Sequence, residues 1–189
     1  MTGSRESIGL LAGRNPPPAA GRRRRIGLLG GSFNPAHIGH LHISRLALSR
    51  LRLDEIWWLV SPQNPLKPVD GMAPLDERLK SARAIARGRE IWVTDMEHDL
   101  GTQYTADTLA ALKGRFPEFR FVWIMGADNL IQMPHWNKWT EIFEVVPVAV
   151  FARPAFSFKA FVSTAAKRFG RYRGDEARAA HLAEPKPPS

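Results

Sequence analysis

Two histidines, His37 and His40, follow a pair of glycines in the segment Gly30–His40, which reads GGSFNPAHIGH. Residues three apart lie on one side of an α-helix, so both imidazoles are expected on the same face of a first helical turn. Glycines let a backbone approach a phosphate and adopt dihedral angles that are closed to other residues. The first amides of a helix and its positive dipole end attract anions. Amides, a helix dipole and two imidazoles at one place suit a polyphosphate.

Alternative functions fit this segment less well. It is not a Walker loop, because the spacing differs and no Lys-Ser or Lys-Thr pair follows, and it lacks the GxGxxG dinucleotide pattern. The histidines could bind zinc together with His42, but His42 is expected on another side of the helix. No thiol or carboxylate stands at a suitable spacing either. The remaining alternative is a helix capped by Ser32 or Asn34, with histidines of no special function.

The elements that would position this segment alternate between strands and helices. Short apolar runs predict five buried strands, at 26–29, 56–60, 91–93, 121–125 and 148–151. Helical spacing of apolar residues predicts helices at 38–51, 74–85, 105–112 and 140–145. Each connection is long enough for a right-handed parallel crossover. The expected fold class is therefore α/β, an open doubly wound parallel sheet of Rossmann-like type in a single domain.

The two ends of the chain differ from its middle. Residues 1–25 hold six arginines, one glutamate and the run Asn15-Pro16-Pro17-Pro18, which predict a disordered basic leader or a transit peptide. Residues 26–155 are expected to form the folded domain that holds the site. Residues 156–189 are expected to form a C-terminal helix, docked through its phenylalanines, and a loose tail. Those phenylalanines are Phe156, Phe158 and Phe161.

The net charge of +9 comes from the two ends, because residues 26–152 hold 13 basic and 14 acidic residues. A nearly neutral body argues against a dedicated nucleic-acid surface.

No apolar run is long enough to cross a bilayer. The chain has no cysteine, which excludes disulfides and thiolate chemistry and favours a cytoplasmic protein. We therefore expect neither a nucleic-acid nor a membrane partner, and a homo-oligomer stays open.

The segment Gly30–His40 closely resembles the signature GG(S/T)F(D/N)PxHxGH of the HxGH nucleotidyltransferase superfamily. The HxGH part also occurs in class I aminoacyl-tRNA synthetases. This resemblance implies attack on the α-phosphate of a nucleotide, but it does not identify the second substrate.

Three further segments resemble those of bacterial nicotinate-mononucleotide adenylyltransferases. The segment 61–67 is similar to a loop that ends in a basic residue near the acceptor phosphate. The segment 101–109 is similar to the family's G(x)SYTxxTL stretch. The segment 126–130, with Pro134-His135-Trp136, is similar to its G(x)D(x)L…(x)W segment. All four segments stand in family order, and the resemblance covers about residues 26–153.

The resemblance implies an enzyme that joins ATP to nicotinate mononucleotide by in-line displacement, giving deamido-NAD and pyrophosphate. Mg²⁺ is expected on the ATP phosphates, without a metal site made by the protein. The implied catalytic residues are His37 and His40. The implied ATP-binding residues are Gly30, Gly31, Ser32, Phe33, Gly39, Gly126 and Asp128. The implied acceptor-binding residues are Asn64, Lys67, Tyr104, Thr105 and Trp136.

Several polar and aromatic residues could also have simpler structural roles. Thr105 could merely cap its helix, Asp128 could form a turn, and Trp136 could fill the core. The tryptophans inside predicted strands are expected to pack in the core; they are Trp57, Trp58, Trp92 and Trp123. The acidic residues Asp95, Glu97 and Asp99 are expected to form a solvated loop.

One segment of the family pattern is missing. Members of the family normally end with a stretch resembling (I/V)S(S/A)TxIR, which supplies a helix N-terminus and an arginine for the ATP phosphates. Only 163–168 matches it, and only in part. Two alternatives stay open. One is a phosphopantetheine adenylyltransferase, and the other is a nucleotide-binding or RNA-binding module without catalysis. The Tyr104-Thr105 and Trp136 segments argue against the first of these.

Overall fold

The computed structural model describes residues 23–62, 71–153 and 155–184. These residues contain five strands: β1 (Arg25–Gly31), β2 (Glu55–Val60), β3 (Ile91–Thr94), β4 (Arg120–Gly126) and β5 (Val148–Phe151). They form one sheet in the order β3-β2-β1-β4-β5, and every neighbouring pair is parallel. From the central strand β1, the chain adds β2 and then β3 on one side of the sheet. It then returns to add β4 and β5 on the other side. This is the doubly wound α/β arrangement that the sequence predicts.

The described residues form eight α-helices. They are α1 (Ile38–Arg50), α2 (Leu75–Ile85), α3 (Met96–Leu100), α4 (Thr105–Arg115), α5 (Ala127–Gln132), α6 (Trp139–Val145), α7 (Ser157–Phe161) and α8 (Thr164–Phe169). Short 3₁₀ turns follow at Met133–His135, Gly170–Tyr172 and Glu176–His181. The helices expected at 38–51, 74–85, 105–112 and 140–145 are confirmed, whereas α3 and α5 are not predicted by apolar spacing.

Apolar side chains cover both faces of the sheet. Leu28 belongs to one buried cluster, which includes Trp57 and side chains of α4 and α6. Its neighbour Leu29 belongs to a second cluster, which includes Trp58 and side chains of α1 and α2. Successive residues of a strand point to opposite faces, so β1 is buried on both sides. The prediction that the strand tryptophans pack is confirmed for Trp57, Trp58 and Trp123, which are almost wholly buried, while Trp92 is half-buried.

The C-terminal segment packs differently from the expectation. A helix does form, but Phe158 is 80% exposed and Phe161 is 55% exposed, so the phenylalanines do not dock it. The small residues Ala160 and Ala165 pack in the core instead. A similar error concerns Ile38, which belongs to the predicted apolar face of α1 and is 72% exposed. Apolar spacing therefore locates α1 but identifies its buried side only in part, because Leu41 is buried and Ile38 is not.

The first described residues join the domain. Arg24 forms an ion pair with Glu55, and the backbone amide of Arg25 donates to the carboxylate of Asp54 at 2.7 Å. Most of the expected leader, residues 1–22, lies outside the described residues. Among the helices that the structure describes, none is long and apolar enough to cross a membrane.

Candidate active site

A cleft of about 1070 Å³ opens at the carboxyl ends of β1 and β4. The strand order reverses at this point, and open α/β sheets bind ligands there. Every predicted site residue within the described part of the chain lines the cleft. These are Gly30, Gly31, Ser32, Phe33, His37, Gly39, His40, Tyr104, Thr105, Gly126, Asp128 and Trp136. The other two, Asn64 and Lys67, lie outside the described residues.

The two histidines cap the helix that they begin. His37 is the N-cap of α1, and its Nδ1 accepts a hydrogen bond from the amide of Gly39 at 3.2 Å. Nδ1 of His40 accepts from the amide of His37 at 3.1 Å. The two rings stack with their centroids 3.9 Å apart. Capping by Ser32 or Asn34, the structural alternative, is therefore wrong, because His37 itself is the cap.

This capping decides what the imidazoles can offer a ligand. A ring nitrogen that accepts a hydrogen bond carries no proton, so each neutral ring has its proton on Nε2. Burial, followed by the neighbouring charges of His37 and Arg153, lowers the pKa of His40 from 6.5 to about 4. His40 is therefore neutral near pH 7 and presents an Nε2–H donor, which suits a phosphate oxygen.

The position of the His37 ring requires a glycine at position 39. A Cβ atom at this position would lie 2.9 Å from Nδ1 of His37, so a side chain there would push the His37 ring away. The glycine between the two histidines leaves the space in which His37 folds back over the helix start.

The first turn of α1 rests on buried aromatic side chains. Phe33 is 2% exposed, and its ring stacks on that of Trp58 with the centroids 5.1 Å apart. The centroids of the Phe33 and His40 rings are 4.7 Å apart. The indole N–H of Trp58 donates to the Ser44 hydroxyl at 2.8 Å, which in turn donates to the His40 carbonyl at 2.8 Å. The Phe33 ring therefore packs against the His40 imidazole, while the Ser44 hydroxyl holds the His40 backbone.

The glycine pair acts differently from the expectation. Both glycines belong to β1, and neither has a positive φ. Gly30 is needed because a Cβ there would lie 2.3 Å from the Trp123 ring. The left-handed backbone lies instead at Phe33, whose φ is 46°. The prediction of unusual dihedral angles at the glycines is therefore wrong, and the close approach that Gly30 allows is to an indole ring.

On the β4 side of the cleft, Asp128 lies in the first turn of α5. Its Oδ2 is 2.7 Å from a guanidinium nitrogen of Arg153, and its side chain is 21% exposed. Gly126 makes room for this carboxylate, because a Cβ there would lie 2.5 Å from Oδ1. Arg153 also lines the cleft and places a positive charge there. Sequence reasoning missed Arg153, which has no recognisable motif around it.

The third group of predicted residues lines the cleft around the start of α4. Tyr104 is the N-cap of α4, and no side chain of the described residues caps this helix, so the alternative that Thr105 merely caps it is wrong. An uncapped N-terminus of an 11-residue helix leaves amide donors and a positive dipole end for an anion. Trp136, half-buried, packs against the core and also lines the cleft.

The acidic residues 95–99 are not a solvated loop. Glu97 is 6% exposed, the Asp99 side chain is 3% exposed, and both belong to α3. Oε1 of Glu97 lies 3.5 Å from the Thr108 hydroxyl, while Oε2 is buried and has no hydrogen-bond partner among the groups that the structure describes. Burial raises the pKa of Glu97 from 4.5 to about 7, against hydrogen bonds from Ser61 and Thr108. Glu97 also lines the cleft, a position that no sequence pattern indicates.

His42 also lines the cleft, contrary to the expectation from helical spacing. Even so, the described residues contain no group of three or more histidine, cysteine or acidic side chains that could hold a metal ion.

Comparisons with known proteins agree with this geometry. The cytidylyltransferase-like family profile matches residues 28–177. A probable nicotinate-nucleotide adenylyltransferase of Parvibaculum lavamentivorans is 62% identical over 142 residues, covering 75% of this chain and 71% of the relative. A protein of the same name from Cereibacter sphaeroides is 53% identical over 164 residues, covering 87% of this chain and 86% of the relative.

Solved structures share the fold. The nicotinic acid mononucleotide adenylyltransferase of Plasmodium falciparum, complexed with APC, superposes with a TM-score of 0.61 at 18% identity and covers 74% of this chain and 72% of its own. The complex of the same protein with NaAD gives a TM-score of 0.60 at 17% identity. This superposition covers 86% of the present chain and 91% of the Plasmodium chain. The sequence relatives are far closer, and they decide membership. The chain belongs to the cytidylyltransferase-like family and, within it, to the nicotinate-nucleotide adenylyltransferases.

Proposed function

We propose that this protein transfers the adenylyl group of ATP to nicotinate mononucleotide, forming deamido-NAD and releasing pyrophosphate. One observation carries the proposal. Residues predicted from three separate segments of the sequence, at positions 30–40, 104–105 and 126–136, line a single cleft at the switch point of the sheet. Ligands bind at this place in open α/β sheets.

The β1 side of the cleft suits the triphosphate. The Nε2–H groups of His37 and His40 would donate to phosphate oxygens, with His40 at the α-phosphate and His37 at the outer phosphates. The backbone amides of the loop after β1 and the N-terminus of the 13-residue helix α1 add to this anion site. Asp128 would hold the ribose of ATP. Its ion pair with Arg153 would have to open for that contact.

The α4 side suits the pyridine mononucleotide. The uncapped N-terminus of α4 would attract the ring carboxylate of a nicotinate, which the amide of a nicotinamide would not match in charge. Tyr104, Thr105 and Trp136 would surround the ring, and the Trp136 indole offers a flat surface for stacking. Asn64 and Lys67 stay predicted contacts of the acceptor phosphate.

The reaction would be a direct displacement. An oxygen of the acceptor phosphate attacks the α-phosphorus of ATP, a new P–O bond forms, and the bond between the α-phosphorus and the bridging oxygen breaks. Pyrophosphate leaves with that electron pair. Catalysis then depends on alignment and on hydrogen bonds to the phosphate oxygens. Mg²⁺ would enter with ATP, held by phosphate oxygens and water, since it needs few protein ligands.

A substrate panel tests the proposal. Pyrophosphate release should be measured with ATP and each of nicotinate mononucleotide, nicotinamide mononucleotide and 4′-phosphopantetheine. We expect the highest kcat/KM with nicotinate mononucleotide. Greater turnover with 4′-phosphopantetheine would assign a phosphopantetheine adenylyltransferase activity instead. ATP binding with no pyrophosphate release in the presence of any of the three acceptors would leave only a binding module.

A further inference from the structure

Arg78, on α2, is only 2% exposed, and it is absent from the cleft lining. Among the described residues, its guanidinium group donates four hydrogen bonds, and each acceptor is a backbone carbonyl. The acceptors are Ala73 at 2.9 Å, Ser32 at 2.7 Å, Ser61 at 2.7 Å and Pro62 at 2.8 Å. Among the described carboxylates, none forms an ion pair with it. A buried arginine usually has an acidic partner, whereas within the described residues this cation is stabilised by carbonyl dipoles.

The four carbonyls belong to three different segments. Ser32 lies in the loop after β1, Ser61 and Pro62 follow the end of β2, and Ala73 precedes α2. One planar guanidinium therefore joins the carboxyl ends of two adjacent strands, through the carbonyls of two residues that line the cleft, Ser32 and Ser61. Asn34 adds a second link, because its side chain accepts from the amide of Ala73 at 3.2 Å and donates to the carbonyl of Gly71 at 3.0 Å.

The contact with Ser32 sets the direction of a proposed ligand donor. In a trans peptide the C=O and N–H groups point in opposite directions. Since the Ser32 carbonyl faces Arg78, the amide of Phe33 faces away from Arg78. Phe33 has a φ of 46°, a sparsely populated conformation that persists only when its surroundings hold it. Arg78 and Asn34 hold the backbone on the two sides of this residue.

We propose that Arg78 is a positioning residue: it fixes the nucleotide-binding loop after β1 against the end of β2, which leads into the predicted acceptor loop, so that the two substrates meet in line. This inference rests on the proposed function. The planar fork matters as well as the charge, because one group must reach three segments at once.

Two variants separate positioning from charge. Arg78→Met removes both the charge and the fork, whereas Arg78→Lys keeps a cation without the fork. Arg83→Met is the matched control, an exposed arginine of the same helix. We expect kcat to fall about 10²-fold in both Arg78 variants, the loss typical of a misplacement of about 1 Å, with a smaller change in KM. A lysine variant with the kcat of the control would overturn the proposal.

Hydrogen exchange on the unliganded protein gives a readout that needs no activity. In Arg78→Lys, amide exchange should rise at residues 31–34 and 60–62 and stay unchanged in β4 and α4. The proposal would be overturned if Arg78→Lys exchanged its amides at residues 31–34 and 60–62 as slowly as the wild type. It would also be overturned if exchange rose equally in every strand. If the wild type fails to turn over ATP with nicotinate mononucleotide, the proposed function fails, while this measurement still decides whether Arg78 joins the loops.

Discussion

Replacing Glu97 by glutamine should stabilise the protein at pH 8 much more than at pH 5. The Glu97 carboxyl is buried, and its pKa is raised from 4.5 to about 7. Below pH 4.5 the group is protonated in both the folded and the unfolded chain. Between pH 4.5 and 7 it ionises only in the unfolded chain, so the free energy of unfolding falls as the pH rises, and above pH 7 the loss is constant.

The magnitude follows from the same values. At about 1.4 kcal/mol for each pKa unit, a rise from 4.5 to about 7 costs the folded state about 3 kcal/mol above pH 7. At pH 5 most of this loss has not yet developed. Glutamine never ionises, so the variant lacks the whole pH-dependent loss, and its amide can still pair with the Thr108 hydroxyl.

Urea denaturation of the wild type and Glu97→Gln at pH 5 and pH 8 measures the effect. The quantity to compare is the stability gain of the variant at each pH, because other titrating groups cancel in that difference. We expect the gain to grow by about 2–3 kcal/mol from pH 5 to pH 8. Glu118→Gln, at an exposed carboxylate, is the control and should show no such growth. An equal gain at both pH values would mean that Glu97 is ionised in the folded protein and would refute the reasoning.

Four further substitutions test the site and the packing around it. His40→Ala should stay folded but lose about 10²–10³ in kcat, the usual effect of removing one donor to a transition state; pyrophosphate release at a near wild-type rate would contradict its role. Gly39→Ala should lower kcat/KM up to about 10²-fold, because the new methyl group displaces the His37 ring; steady-state kinetics check this, and an unchanged value would show that His37 is not needed where it lies. Gly30→Ala should destabilise by about 1–3 kcal/mol through its clash with Trp123, whereas Gly114→Ala, with open space around it, should stabilise by about 0.4–1 kcal/mol. Urea denaturation that ranked these two glycine variants in the opposite order would count against the packing described for β1.

The sheet and most of the cleft can be predicted from the sequence. Strands buried on both faces are continuous apolar runs, and these predict every strand of the described sheet to within two residues. Because the carboxyl ends of parallel strands share one edge, motifs that follow different strands are brought together there. This is why residues as distant in sequence as His37 and Trp136 line the same cleft.

The rest depends on contacts that leave no local pattern. A run of acidic residues ordinarily indicates a solvated surface, but α3 turns Glu97 towards Ser61 and Thr108. Arg78 bonds to carbonyl groups up to 46 positions away, and a carbonyl group has no sequence signature. Phe158 shows the reverse error, an aromatic residue that the fold leaves exposed.

Because His37 and His40 each hold a backbone amide at the start of α1, both side chains lose their rotamer freedom when the chain folds. Immobilising a side chain during binding ordinarily costs about 0.5–1.5 kcal/mol in conformational entropy. A ligand that meets these rings avoids this cost, since they are already ordered. Substitutions that loosen the first turn of α1 should therefore weaken ligand binding even when both imidazoles remain.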